Sequence, residues 1–356
     1  MKIFNCDHCN NPVYFENHQC VQCGYLLGYI PAWRRMVALN PSLNSWYLQG
    51  PDQLMITYTF CANHRSNVCN WLVTGNEFEK FCMACELNRT IPSLDSEENF
   101  EKWMKLEVAK HRLIFQLERL GLPMESKMNN KGTGLCFDFI SNEYAENEPK
   151  VMTGHANGVI TILLSEADSV HLEQMKIHLS EPYRTLIGHF RHEVGHYYWD
   201  RLIGPDSDAL AGYRGLFGDE RSDYPTSLKT YYTEGAKVNW QNNYISEYAT
   251  SHPWEDWAET WAHYLHILDT LETAFHFGLS TNPHPGNNEI LQSSIGFDPY
   301  EEIDFQRIMD SCIPIFFAIN SINRSMGIPD IYPFVTNQPV IEKLKFIHRI
   351  CISRLN

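Results

Sequence analysis

The segment His192-Glu193-Val194-Gly195-His196 holds the densest chemistry in the chain. On a helix, histidines at i and i+4 face the same way, so both imidazoles can bind one zinc ion. The glutamate next to the first can then reach a water on that ion as general base. The bland alternative is an amphipathic helix with two satisfied histidines. Leu186, Ile187, Phe190, Val194 and Tyr197 supply apolar packing around the motif, which suits a buried metal helix better. A zinc site of this kind needs a third protein ligand. The longer HExxHxxGxxH pattern asks for glycine at 199 and histidine at 202; the chain has Trp199 and Leu202, which excludes that subclass. Downstream, Glu255 and Glu259 stand one helical turn apart. The first would bind the metal, and the second would accept the N–H of a ligand histidine and fix its tautomer. His252, Asp256, His263 and Glu259 itself are rival ligands, with Glu255 preferred. A solvated helix face would also place two glutamates in this way, but Trp254, Trp257 and Trp261 mark this helix as largely buried.

The cysteines form a second kind of signal. Cys6, Cys9, Cys20 and Cys23 make two CxxC knuckles, each bringing two thiolates to one side of a tight turn. Two such turns complete a tetrahedral zinc site with the spacing of a zinc ribbon. Cys61, Cys69, Cys82 and Cys85 offer a second four-cysteine site, with CxxC spacing in one half only; His64 could replace one thiolate. Four protein ligands close a site, so both are expected to be structural. A segment this small and loop-rich would have too little core without metal. Cys136, Cys312 and Cys351 lie in apolar stretches and read as core residues.

These groups need elements to hold them. Asn88–Ser96 reads as a linker ending in helix-capping residues, and a helix is expected from about Glu97 to Leu120. Phe100, Trp103, Leu106, Leu113, Leu117 and Leu120 recur there at helical spacing, and Gly121-Leu122-Pro123 stops it. Strands are expected at Gly134–Ile140 and Val159–Leu164, the second entered by the turn-like Gly154–Gly158. The metal helix should run from about Pro182 to Leu202, with Ser180 as N-cap and Gly204-Pro205 as stop. A Gly-, Asp- and Tyr-rich stretch follows with no element assigned. Helices are then expected over Trp254–Phe277, Asp304–Ile319 and Val340–Ser353.

The chain has 356 residues, 44% apolar and 20% charged, which fits a globular protein of two or three domains, or one large domain with appendages. Its net charge of −15 argues against a nucleic-acid partner, and no apolar run is long enough for a membrane helix. The first residues carry one lysine and no apolar stretch, so no secretory signal is expected. Eleven cysteines then imply a reducing, cytoplasmic setting in which cysteine pairs bind metal.

From Cys6 to about Ile350 the chain resembles the zinc-binding metallopeptidases with an N-terminal zinc ribbon. The stretches that carry the likeness are Cys69–Val73, Leu87–Pro92, Glu181–Arg201, Tyr248–Ala274 and Asn323–Phe334. It implies an α+β fold in which a zincin-like metallopeptidase domain follows a small Cys-rich zinc-ribbon region. That domain would join a small mixed sheet to the HExxH helix and C-terminal helices. The divisions expected are 1–31 for the ribbon, 32–92 for the second Cys-rich region and 93–356 for the peptidase domain. The site alone is similar to the catalytic domain of anthrax lethal factor, a gluzincin. There a tyrosine leads the metal-binding glutamate by seven residues, and another glutamate follows by four, as Tyr248, Glu255 and Glu259 do here. That likeness implies that Glu255 is the ligand and that Tyr248 hydrogen-bonds the transition-state oxyanion; Tyr244 and Tyr264 are the next donors to consider. Zinc peptidases usually hold an extended substrate at a sheet edge above the metal helix. The expected edge is Gly158–Leu164, with Gly158, Val159 and Ile160 pairing with substrate and His155 just upstream. One catalytic and two structural zinc ions follow, with a peptide or protein as substrate. A non-catalytic zinc-ribbon adaptor and a zinc hydrolase of a non-peptide amide are the competing readings.

Overall fold

The computed structural model describes residues 2–75, 80–141, 152–168, 172, 174, 185–284, 289–332 and 336–353. The N-terminal part is built from short antiparallel pairs. β1 (Phe4–Asn5) pairs with β2 (Pro12–Val13), and β3 (Leu26–Ile30) with β4 (Arg35–Leu39). β5 (Trp46–Gln49), β6 (Met55–Phe60) and β7 (Leu72–Thr74) form a three-stranded sheet. The β3–β4 hairpin runs across residues 31 and 32, where the two Cys-rich regions were expected to meet.

α1 (Glu97–Arg119) begins at Ser96, whose side chain accepts the Asn99 N–H, and carries Glu97 and Glu98 in its first turn. Trp103, Leu106, Leu113 and Leu117 are buried as their spacing predicts. The helix also buries a polar set: Glu107, Lys110, His111 and Gln116. Its N-terminal neighbours pack on it through an aromatic seam. Phe15 lies 4.9 Å and Tyr29 5.8 Å from the Phe115 ring, and the Arg112 Nε–Glu16 ion pair spans 2.5 Å. One apolar core therefore continues from the Cys-rich part into the helices.

The sheet beside the metal helix has the order β10-β11-β9-β8. β8 (Asn88–Thr90), β9 (Cys136–Ile140) and β11 (Val159–Leu163) are parallel neighbours, and β10 (Gly154–Ala156) is antiparallel to β11. This corrects the expected edge. Val159 and Ile160 sit inside the sheet, paired with Cys136 and Phe137 on one side and with Ala156 and His155 on the other. Among the described strands, the edge on this side of the sheet is β10, with β8 at the other end. The reason is the Asn157-Gly158 dipeptide, with φ of 49° and 78°, which closes a two-residue hairpin. Gly158 is thus a turn residue. A Cβ there would lie 2.1 Å from the Gly134 carbonyl oxygen.

α2 (Leu186–Tyr198) starts later than expected. Thr185 caps it by accepting the Gly188 N–H at 3.1 Å, while Ser180 and Pro182 lie outside the described residues. A π-helical turn, Trp199–Ile203, extends it. Phe190 packs on Phe137 and Phe139 of the sheet, with ring centres 5.8 and 6.1 Å away. Two helices occupy the stretch read as irregular: α3 (Ser207–Phe217) and α4 (Tyr224–Glu234). Their signals were local: Asp206 and Asp223 cap the starts, and Gly218 and Gly235 follow the ends. α5 (Pro253–His276), α6 (Phe305–Ser325) and α7 (Gln338–Ile352) complete the chain close to the expected positions. α2 and α5 approach nearly backbone to backbone: a Cβ on Gly195 would lie 3.1 Å from the Ala258 Cα. The Trp257 indole N–H donates to the Gly195 carbonyl at 2.8 Å across the same contact. Among the described residues, no helix is long and apolar enough to cross a membrane.

Candidate metal centre

That close approach of α2 and α5 sets two histidines against two glutamates. His252 caps α5, its Nδ1 accepting the Trp254 N–H at 3.1 Å and its Nε2–H donating to the Ser222 carbonyl at 3.1 Å. Glu255 therefore stands in the first turn of α5, facing α2. Its Oε2 lies 3.0 Å from His192 Nε2 and its Oε1 3.5 Å from His196 Nε2; the two Nε2 atoms are 3.2 Å apart. One turn later, Glu259 Oε1 accepts from His192 Nδ1 at 2.7 Å, and its Oε2 accepts from Ser246 Oγ at 2.6 Å. With its Nδ1 proton committed, His192 offers a lone pair at Nε2.

One ligand atom each from His192, His196 and Glu255 lies within 4.8 Å of the others. Glu255 Oε2 is buried and makes no hydrogen bond. A buried carboxylate oxygen beside two imidazole nitrogens needs a cation between them, and two nitrogens plus one oxygen suit zinc with a position left open. Burial alone would push Glu259 toward neutrality, but the hydrogen bond from His192 outweighs it and holds its carboxyl below the usual carboxylate range.

The rival ligands face elsewhere. Asp256 is paired with Lys343 at 2.6 Å, and His263 Nδ1 is hydrogen-bonded to the Tyr332 hydroxyl at 2.9 Å. His252 is spent on the helix cap. Tyr248 lies in a short 3-10 turn, its ring centre 6.0 Å from that of His192. The sequence reading missed Tyr224, at the start of α4, whose hydroxyl donates to Glu255 Oε1 at 2.5 Å. Burial, then the charge of Glu255, raises both phenols far above their ordinary range, so both remain hydrogen-bond donors; the Glu193 carboxylate adds to each shift. Tyr244 and Tyr264 are not at the centre: the Tyr244 hydroxyl accepts from Lys237, and Tyr264 pairs with His348. His155, on the edge strand, stacks 6.3 Å from His196, and its Nε2 accepts the Gly158 N–H at 2.9 Å. Burial first, then the neighbouring His196, pushes it down to about 3, so its ring is neutral.

The cysteines gather as two closed groups, Cys6/Cys9/Cys20/Cys23 and Cys61/Cys69/Cys82/Cys85. In the first, the Cys6–Cys23 and Cys9–Cys20 sulfurs are 3.7 and 3.6 Å apart. In the second, the Trp71 N–H donates to Cys69 Sγ at 3.4 Å and the Cys82 N–H to Cys61 Sγ at 3.3 Å. Burial pushes the Cys69 thiol well up, since a thiolate there lacks a counter-charge; a dication would supply one. His64 is no substitute ligand: it stacks on Phe60 at 3.6 Å and is hydrogen-bonded to the Cys69 carbonyl. α1 adds a partner that the sequence did not suggest. His111 Nδ1–H donates to the Glu107 carbonyl at 2.7 Å, and Nε2 sits 3.6 Å from Cys85 Sγ. Burial would lower His111, but the Cys85 sulfur and Glu107 outweigh it and raise it, which makes it a donor to the thiolate.

Residues 99–350 match the family model described as "Putative zinc-binding metallo-peptidase", and residues 3–96 match a zinc-ribbon domain. Uncharacterized proteins of Mycobacterium bovis and Mycobacterium tuberculosis are 39% identical to the chain over 350 residues, spanning 98% of this chain and 95% of theirs. No solved structure gives a significant match.

Proposed function

The chain belongs to the zinc-binding metallo-peptidase family, and from that premise we propose that it hydrolyses peptide bonds at the His192/His196/Glu255 centre. The observation that carries this reading is the convergence of both HExxH histidines with Glu255, while Glu259 holds the Nδ1 proton of His192. A zinc ion held by those three side chains would polarise the scissile carbonyl and lower the pKa of a water toward about 7. Glu193 then takes the proton of the attacking water and delivers it to the departing amine. Tyr248 donates its hydroxyl hydrogen to the oxyanion that develops on the carbonyl. Tyr224 holds Glu255 in place, and Glu259 with Ser246 fixes the His192 ring. An extended substrate would add to the open side of β10, above α2. The two four-cysteine groups take structural zinc, for three ions per chain in total.

The test is cleavage of a peptide library by reduced, zinc-loaded protein. Activity should disappear with chelator and return with zinc. Glu193→Gln keeps the size of the side chain and should retain the metal while turnover falls roughly 10²–10⁴-fold. Chelator-insensitive cleavage, or full turnover by Glu193→Gln, would refute the assignment. An inert wild-type protein that still binds peptide would favour the adaptor reading.

A further inference from the structure

A cleft of about 450 Å³ lies between α4 and the turn that leads into α5. That size is ordinary for a site that takes a side chain or a small ligand. It adjoins the metal centre without belonging to it. Tyr231 on its wall meets the Tyr248 ring edge-on at 5.6 Å, and His252 meets Tyr224 at 5.0 Å. Tyr231 and His252 thus touch the two rings that stand beside the metal ligands.

The lining has a consistent chemistry. Among the described residues that line it there is no carboxylate, in a chain whose net charge is −15. Its cation is Lys237, whose Nζ donates to the Tyr244 hydroxyl at 2.9 Å and lies 4.9 Å from that ring's centre. Because the Tyr244 oxygen already accepts from Lys237, its own hydrogen is left to donate. A second ammonium, Lys343, stands 4.5 Å from the same ring and is balanced by Asp256. On α4, the hydroxyls of Ser227 and Thr230 line the cleft and make no hydrogen bond to the described residues. Phe217, Ala249 and Pro253 add apolar surface. A wall that offers an ammonium and several O–H donors, with no anionic acceptor, recognises a carboxylate.

We infer that this cleft receives a carboxylate of the bound peptide, either an acidic side chain or the peptide's own C-terminus, with Lys237 as counter-charge and Tyr244, Ser227 and Thr230 as donors. The inference deepens the peptidase reading and rests on it: the cleft would be where the enzyme chooses its substrate.

Binding can be read without turnover in zinc-loaded Glu193→Gln protein. Short blocked peptides are titrated calorimetrically in matched pairs: internal glutamate against glutamine, and free C-terminal acid against C-terminal amide. At least one acid should bind about tenfold or more tightly than its amide, and the pair that shows it identifies the source of the carboxylate. Added salt should shrink the difference. Lys237→Met, an exposed position whose variant is expected to fold, should bring the acid-to-amide ratio close to one. Equal affinity for both members of both pairs would overturn the inference, as would a preference that survives Lys237→Met. The two readings fail separately. Cleavage of library peptides with no acid preference removes the cleft's role and leaves the peptidase. Acid-selective, Lys237-dependent binding in a wild-type protein that cleaves nothing removes the peptidase and leaves the carboxylate site.

Discussion

Replacing Gly158 with alanine tests the hairpin that gives the sheet its edge. Two costs combine there. The residue has φ of 78°, where an L side chain meets the following carbonyl, a penalty of roughly 1–2 kcal/mol. The added methyl would also lie 2.1 Å from the Gly134 carbonyl oxygen. That atom is backbone, held by the Gly134 N–H bond to Asn130 and by the parallel bridge of Leu135 with Ser126, so it cannot swing aside like a side-chain tip. Overpacking against a fixed neighbour typically costs about 1–3 kcal/mol. The sum, about 2–5 kcal/mol, is a large share of an ordinary domain's stability. It should appear as a fall of roughly 4–10 °C in the melting temperature of the zinc-loaded protein. Relief would shift the Asn157-Gly158 turn and with it the edge strand, so kcat/KM on an extended peptide should fall as well. Gly154→Ala is the control: it lies on the same strand, and no atom lies within 4 Å of its Cβ position. Scanning calorimetry of both variants beside the wild type decides the matter. If Gly158→Ala melts within 1 °C of Gly154→Ala, the hairpin does not have this geometry and β10 is not the edge.

The remaining predictions concern the metal sites. Tyr248→Phe should keep its zinc and fold normally while kcat falls about 10²–10³-fold; unchanged turnover would move the oxyanion donor elsewhere, with Tyr224 the first candidate. Tyr224→Phe removes the hydrogen bond that orients Glu255, and Glu259→Leu the one that orients His192, so competition with a chromogenic chelator should show zinc affinity at the catalytic centre weakened roughly 10–100-fold in each. Elemental analysis of reduced protein should find close to three zinc ions per chain, falling by one in Cys61→Ser; a wild-type value near one would disprove both thiolate sites. His111→Gln should keep the zinc count but let chelator strip the second thiolate site sooner, and equal stripping rates would show that His111 does not support Cys85.

The parts of the centre legible in the sequence were those in which chemistry fixes residue types at a short spacing. His192, Glu193 and His196 share one helical turn, Glu255 and Glu259 another, and three of the four cysteine pairs close within four residues. The long helices were legible because their apolar periods repeat over many turns. What escaped depended on partners distant in sequence. Tyr224 reaches Glu255 across 31 positions, and His111 reaches Cys85 across 26, so neither has a local signature. Other misses had a local signal that was outweighed. Asn157-Gly158 announces a hairpin, yet the three-residue β10 is too short to show alternation, so the pattern points to β11 as the edge. α4 has caps at both ends but buries none of its residues, so its composition reads as loop.

The seam through which Phe15 and Tyr29 pack on Phe115 also bears on how the protein depends on metal supply. The thiolate sites and the peptidase helices share one core, so a chain that fails to load its cysteines loses the surface against which α1 settles. Four soft thiolates hold zinc more firmly than two imidazoles and a carboxylate. As zinc grows scarce, the third position should therefore empty first, while the other two still keep the chain folded. The resulting molecule would be intact and silent, able to regain turnover when the metal returns without folding again.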